Sequence, residues 1–110
     1  MKRMKQRREQ TALIFHRKLS LNNGLVNERM IWRVPTSERY PHGIRYRMVL
    51  VEPKNHEVIV LYDNHWPKGP HVHWYGRERP YEFVTIEELM RDFINESEVE
   101  EKRYHENKKD

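Results

Sequence analysis

The sequence predicts an α+β domain in which an antiparallel β-meander of four to five strands carries one C-terminal helix on one face. Apolar and polar residues alternate in successive short runs, as they do along half-buried strands. Turn signals separate these runs, which favours antiparallel neighbours joined by short connections. After residue 85 the apolar spacing changes from two residues to the three-and-four pattern of an amphipathic helix.

Turn formers separate the first four predicted strands. The hairpin signal Asn22-Asn23-Gly24 follows the first strand, because Asn and Gly tolerate positive φ angles. Pro35 ends the second strand and Pro53 ends the third, since proline lacks the amide hydrogen that a sheet ladder needs. The four strands are predicted at about 12–21, 26–34, 45–51 and 57–63.

The second half of the chain contains a short fifth strand and the helix. Residues 71–75 form the strand, Gly76 ends it, and residues 77–80 are interpreted as a connector. Thr85 and Glu88 have the spacing of a capping box, which marks a helix N-terminus. The helix is predicted from about 86 to 97 or further, with its apolar stripe at Ile86, Leu89, Met90, Phe93 and Ile94.

Length and composition exclude several classes of protein. The chain has 110 residues, which suffices for one hydrophobic core. No apolar run approaches the roughly 18 residues of a membrane span, so we expect no membrane partner. The apolar run 12–15 is too short for a secretory signal. The chain has no cysteine, which excludes thiol nucleophiles and disulfides and suits a cytoplasmic location.

Charge is distributed unevenly, and this suggests three regions. They are a basic N-terminal arm at 1–11, a single domain at 12–97 and a charged C-terminal tail at 98–110. The formal net charge is +4, and the first ten residues carry five Lys or Arg against one acid. A basic arm is weak evidence for a nucleic-acid partner and is equally compatible with a solvated terminus.

The densest group of chemically capable side chains lies at 62–82 and includes the pair His71 and His73. Residues two apart on a strand point to one face, with Cα atoms roughly 6.5 Å apart. Histidine titrates near neutrality, so one imidazole can accept a proton while the other donates one. Without a metal the nucleophile must come from the substrate, and the 2′-hydroxyl of RNA supplies one. Nearby cations that would neutralise phosphate charge are Lys68, Arg77 and Arg79.

Two other interpretations of the histidine pair stay open. The histidines could bind a metal together with a third ligand such as Asp63 or His65. No second closely spaced ligand pair exists, which disfavours this interpretation, so neither a metal nor a cofactor is predicted. The histidines could also be polar loop residues that pack beside Trp74 and bond to the backbone.

Other residues are candidates for nucleic-acid contacts. Arg45 and Arg47 share one strand face and could contact phosphate, although a solvated sheet face explains them equally well. Tyr81 could hydrogen-bond a phosphate or stack on a base, and burial in the core is its alternative. Arg79 belongs to the same candidate set.

Four segments of the chain carry a family resemblance. In order and spacing they resemble the TumE-type toxins of prokaryotic type II toxin–antitoxin modules, over roughly residues 12–95. The most specific part combines Tyr-Asp-Asn, Lys-Gly-x-His-x-His and Pro-Tyr-x-Phe. The segments span 30–35, 45–49, 62–64 with 68–73, and 78–84.

The resemblance implies a small cytoplasmic toxin that an antitoxin encoded beside it holds inactive. Antitoxins of such modules are generally small DNA-binding proteins. In many relatives the residue before the first motif histidine is acidic, whereas this chain has Pro70, and the insert 65–67 is also unusual. The motif positions in this chain are Asp63, Asn64, Lys68, Gly69, His71, His73, Gly76, Glu78, Pro80 and Tyr81.

The residues and the resemblance together predict a toxin that acts on RNA as a metal-independent endoribonuclease. His71 and His73 would transfer protons, Lys68 and Arg77 would stabilise the phosphate, and Asp63 would orient a His or Lys. The alternative is a non-enzymatic binding module whose aromatic surface engages an antitoxin or a cellular target. The expected partners are a cognate antitoxin and RNA, and a homodimer is a further candidate assembly.

Overall fold

The computed structural model describes residues 11–108, and within them six strands form one antiparallel sheet followed by one helix. Each strand pairs with the next in the chain, so the sheet is a meander. The elements are β1 (Ala12–Ser20), β2 (Val26–Arg33), β3 (Ile44–Glu52), β4 (Glu57–Asp63), β5 (His71–Trp74), β6 (Arg77–Pro80) and α1 (Ile86–Lys108). The predicted α+β class is confirmed, with one strand more than the four to five expected.

The additional strand is β6, in the segment that the sequence analysis interprets as a connector. Tyr75 and Gly76 have φ angles of 49° and 81°, and positive φ at both central residues defines the tight type I′ hairpin turn. The turn pairs Trp74 with Arg77 in the β5–β6 ladder. The first turn position usually holds Asn, Asp or Gly, so a tyrosine there conceals the hairpin from sequence inspection.

The hydrophobic core lies between α1 and one face of the sheet. Trp74 Nε1 donates a hydrogen bond of 2.8 Å to Glu100 of α1, which shows that Trp74 points toward the helix. Because side chains alternate along a strand, His71 and His73 point to the opposite face. The fully buried residues of the core include Met48, Leu50, Val60, Val72, Leu89 and Phe93.

The helix begins with the predicted cap and continues beyond its predicted minimum. The hydroxyl of Thr85 accepts a hydrogen bond of 3.0 Å from the amide of Glu88. Beyond residue 97, α1 runs on through most of the segment expected as a charged tail, and Glu100 within it is buried. The division into arm, domain and tail stays a prediction, and residues 1–10 of the arm lie outside the described part.

Nothing in residues 11–108 resembles a membrane-spanning helix. The helix α1 has 23 residues, but no helix there joins the required length to the required apolarity.

Candidate functional site

Four polar side chains gather on the sheet face that α1 leaves uncovered, and we call them the histidine cluster. They are His71 and His73 of β5, Glu78 of β6 and Lys68 of the loop before β5. The two imidazole rings lie 4.8 Å apart between their centroids. One nitrogen or oxygen atom from each of His71, His73 and Glu78 lies within 4.8 Å of the other two. The strand alternation therefore brings the two predicted imidazoles together.

Burial of Val72 fixes which side chains of β5 enter the cluster. Val72 is fully buried against the core, so a shift of one residue would move it to the opposite sheet face and the histidines into the core. The β5–β6 register then places Glu78 directly opposite His73. The cluster thus follows from the apolar positions of β5 and the tight turn after it.

The neutral form of His71 is held in one tautomer. Its Nδ1 lies 2.7 Å from the carbonyl oxygen of Gly69, and a carbonyl can only accept a hydrogen bond. The proton is therefore on Nδ1, and Nε2 carries a free lone pair. The residue is 9% exposed, so the surrounding chain also restricts the orientation of its ring.

Glu78 links the remaining members of the cluster. Its Oε2 accepts a hydrogen bond from Lys68 Nζ and lies 3.3 Å from His73 Nε2. The hydrogen bond from Lys68 is the largest effect that lowers the pKa of Glu78 below its ordinary value of 4.5. Glu78 is therefore an anion at neutral pH, and it can hold an Nε2 proton of His73.

Asn64 and Asp63 shape the loop that leads to the cluster. The side chain of Asn64 is buried, where Oδ1 accepts from the amide of Tyr46 and Nδ2 donates to the carbonyl of Ile44, both at 2.9 Å. Asp63 faces His71 across the β4–β5 ladder, yet its oxygen accepts a 2.6 Å hydrogen bond from the amide of His65. These bonds indicate that both residues position the loop. The hydrogen bond of Asp63 goes to a backbone amide and not to the side chain of a His or Lys, as its predicted orienting role would require.

Arg45 and Arg47 lie on the same open face as the cluster. In the ladders Arg47 faces Asp63, which in turn faces His71, so Arg47 lies two strands from the histidine, on the order of 10 Å at the backbone. The guanidinium of Arg45 lies 4.4 Å from the ring centroid of Trp32, as in a cation–π contact. The open face thus carries two cations on β3, two strands from the histidines.

The other three predicted contact residues lie on the helix side. The Arg77 guanidinium lies 5.7 Å from the ring centroid of Trp74, whose indole bonds to α1. Arg79 donates a 2.7 Å hydrogen bond to Glu96 of α1, which raises the pKa of Arg79. The Tyr81 hydroxyl donates a 2.6 Å hydrogen bond to Asp92 of α1. The structure does not bring Arg77, Arg79 or Tyr81 to the histidine cluster.

Glu78 has no chemical role among the sequence-based predictions, and no cavity is predicted. A cavity of about 270 Å³ is lined by Pro70 and Tyr81 together with the aromatic side chains of Tyr40, His42 and Phe83. The rings of His42 and Phe83 lie 5.0 Å apart between centroids. Recognition of the Tyr75-Gly76 turn would have predicted that Glu78 lies beside the histidines. The walls of the cavity come together only in the folded chain.

The fold and the site define a small α+β domain that presents a histidine–carboxylate cluster on the open face of a meander sheet. The chain belongs to the TumE toxin family, because the family model described as Toxin TumE matches residues 4–103 of the 110. This confirms the resemblance, and the family supports a toxin component of a toxin–antitoxin system with a cognate antitoxin as its partner. Searches of curated proteins and of solved structures gave no match.

Proposed function

We propose that this toxin acts on RNA as a metal-independent ribonuclease in which His71 and His73 transfer protons. The observation that carries the proposal is the pairing of an imidazole of fixed tautomer with a second imidazole beside it. His71 offers a lone pair at Nε2, and His73 lies 4.8 Å away between ring centroids. Two such groups are what the cleavage of a phosphodiester by internal attack requires.

The step assigns one proton transfer to each histidine. Nε2 of His71 takes the proton of a ribose 2′-hydroxyl, and that oxygen forms a bond to the adjacent phosphorus. The bond between phosphorus and the 5′-oxygen breaks, and His73 donates a proton to this leaving oxygen. The products are a 2′,3′-cyclic phosphate and a 5′-hydroxyl, so the atoms and electrons balance without a co-reactant.

We assign phosphate stabilisation to Lys68, as predicted, and to Arg47 in place of Arg77. The pair between Lys68 and Glu78 is exposed, and exposed ion pairs are weak because water screens them, so a phosphate can replace the carboxylate as the partner of Lys68. Arg47 is exposed on the same face. Arg45 would hold the RNA backbone further along this face, whereas the Arg77 guanidinium lies near Trp74 on the helix side.

The test combines growth arrest with cleavage of defined RNA. Wild type, His71→Ala and His73→Ala are expressed at matched soluble level, with His16→Ala as the matched control. His16 is also paired with a carboxylate, Glu28, at 2.7 Å, but it lies on the edge strand β1, four strands from β5. We expect wild type and His16→Ala to arrest growth and cleave RNA, and both cluster variants to lose nearly all activity.

Three results would contradict this proposal in different ways. Growth arrest with intact cellular RNA would exclude the ribonuclease. Arrest by the His71→Ala and His73→Ala variants would assign the histidines to structure and favour the binding module. Cleavage of an RNA that carries a 2′-deoxy substitution at the scission site would exclude internal attack.

The DNA-binding nature of the antitoxin, the cytoplasmic location and the homodimer stay predictions.

A further inference from the structure

We propose that the histidine cluster is also a binding site for a divalent transition-metal ion of the zinc type, and that the bound ion inhibits the toxin. The ligands are Nε2 of His71, Nε2 of His73 and a carboxylate oxygen of Glu78. The binding site stands on its own geometry, whereas the inhibition rests on the ribonuclease proposed above.

The donor set suits zinc. Two imidazole nitrogens and one carboxylate oxygen form a three-ligand set that leaves a fourth position to water. Ligand atoms about 2.0–2.2 Å from a tetrahedral ion lie roughly 3.3–3.6 Å from one another. His73 Nε2 and Glu78 Oε2 are already 3.3 Å apart, and all three donor groups lie within 4.8 Å. The three groups are therefore close enough to close around an ion by side-chain adjustment.

The surroundings of His71 favour metal binding. Metal-bound histidines generally donate their second ring N–H to a carbonyl or carboxylate, which fixes the ring and the tautomer. The 2.7 Å hydrogen bond from His71 Nδ1 to the carbonyl of Gly69 supplies this support before any ion arrives. Backbone pairing of β5 with β6 holds His73 and Glu78 opposite each other.

Lys68 is the internal competitor for the site. Its ammonium donates to the same Glu78 oxygen that lies nearest His73, so an ion must displace it. The side chains of Lys68 and Glu78 are 56% and 40% exposed, and an ion pair this exposed is weak. Removal of the Lys68 ammonium should therefore strengthen metal binding.

Zinc is expected to inhibit RNA cleavage because metal binding and proton transfer use the same imidazole lone pair. Imidazole must be unprotonated to bind a metal, and the lone pair on Nε2 of His71 that would hold zinc is the one proposed to accept the substrate proton. An ion there leaves His71 unable to act as a base. Magnesium is not expected to bind, because it prefers oxygen ligands in an octahedral arrangement.

The binding test uses the full chain without an affinity tag, made by cell-free synthesis and stripped of metal. Zinc is titrated against a chromophoric chelator, and cobalt is titrated separately to follow its visible absorption. We expect one ion per chain, with Glu78→Gln and His73→Ala each weakening zinc binding about tenfold or more. Lys68→Ala should strengthen it, and His16→Ala, from the other histidine–carboxylate pair, should leave it unchanged.

The outcomes separate the site from the ribonuclease. Equal zinc affinity in wild type and Glu78→Gln, with both variants folded by circular dichroism, would overturn the site. Zinc that binds with the expected variant pattern but leaves RNA cleavage unchanged would overturn the inhibition. Absence of cleavage in zinc-free protein would overturn the ribonuclease, while the titration would still decide the site.

Discussion

Replacement of Asn64 by alanine is expected to destabilise the domain, although Asn64 lies in a polar loop within the family motif. The side chain is 8% exposed and bonds to two backbone groups of β3. Alanine would leave the amide of Tyr46 and the carbonyl of Ile44 without these partners. The strand β3 would then lose its attachment to the loop that carries Lys68.

The magnitude follows from the burial of the two bonds. The Tyr46 amide is buried, and an unsatisfied buried donor costs about 1–3 kcal/mol. The bond to the Ile44 carbonyl is partly buried and contributes about 0.5–1.5 kcal/mol. Together these predict a loss of roughly 2–4 kcal/mol in the free energy of unfolding. For a domain of this size the midpoint temperature of thermal unfolding would fall by on the order of 10–30 °C.

Urea unfolding followed by far-ultraviolet circular dichroism measures this loss. The matched control is Asp63→Ala, which removes a single exposed hydrogen bond from the adjacent motif position. We expect the control to lose less than about 1 kcal/mol, with the denaturant slope unchanged in both variants. If Asn64→Ala and Asp63→Ala lose equal free energy of unfolding, the two bonds of Asn64 do not hold β3.

Three further predictions concern the core, the tyrosines and the open face. The ring of Phe93 is fully buried, and its centroid lies 5.6 Å from that of Tyr62. Phe93→Ala should therefore lower the free energy of unfolding in urea by about 3–5 kcal/mol. A loss below about 1 kcal/mol would exclude α1 as a core element. Burial raises the pKa of Tyr46, Tyr62 and Tyr81 above the ordinary value of 10.0. Their protonated side chains therefore stabilise the fold below pH 10, and this stabilisation is lost as the pH rises further. Absorbance of tyrosinate should therefore show these three ionising only as the protein unfolds, and their free titration in folded protein would contradict the burial. Arg47→Ala should lower RNA cleavage and growth arrest more than Arg77→Ala, because of these two arginines Arg47 alone shares the open face with the cluster. A greater loss in Arg77→Ala would refute this placement of the phosphate.

Much of the fold was predictable because its signals are local. The first four strands lie within one or two residues of their predicted bounds, since alternation and proline positions fix them. The cap at Thr85 is likewise local. The pairing of Asn64 with β3 was not predictable, because it joins residues 18 and 20 positions apart that no sequence pattern links.

The candidate site shows how a single undetected strand redistributes chemical roles. The histidine pair was predictable because alternation within β5 alone places both rings on one face. Cross-strand partners share a face, so the two-residue turn at Tyr75-Gly76 assigns Glu78 to the histidine side and Arg77 to the helix side. Had residues 77–80 been a loop, Arg77 could have reached a phosphate at the histidines. The strand β6 replaces that cation with a carboxylate, and the carboxylate explains both the position of Lys68 and the affinity for metal that we propose.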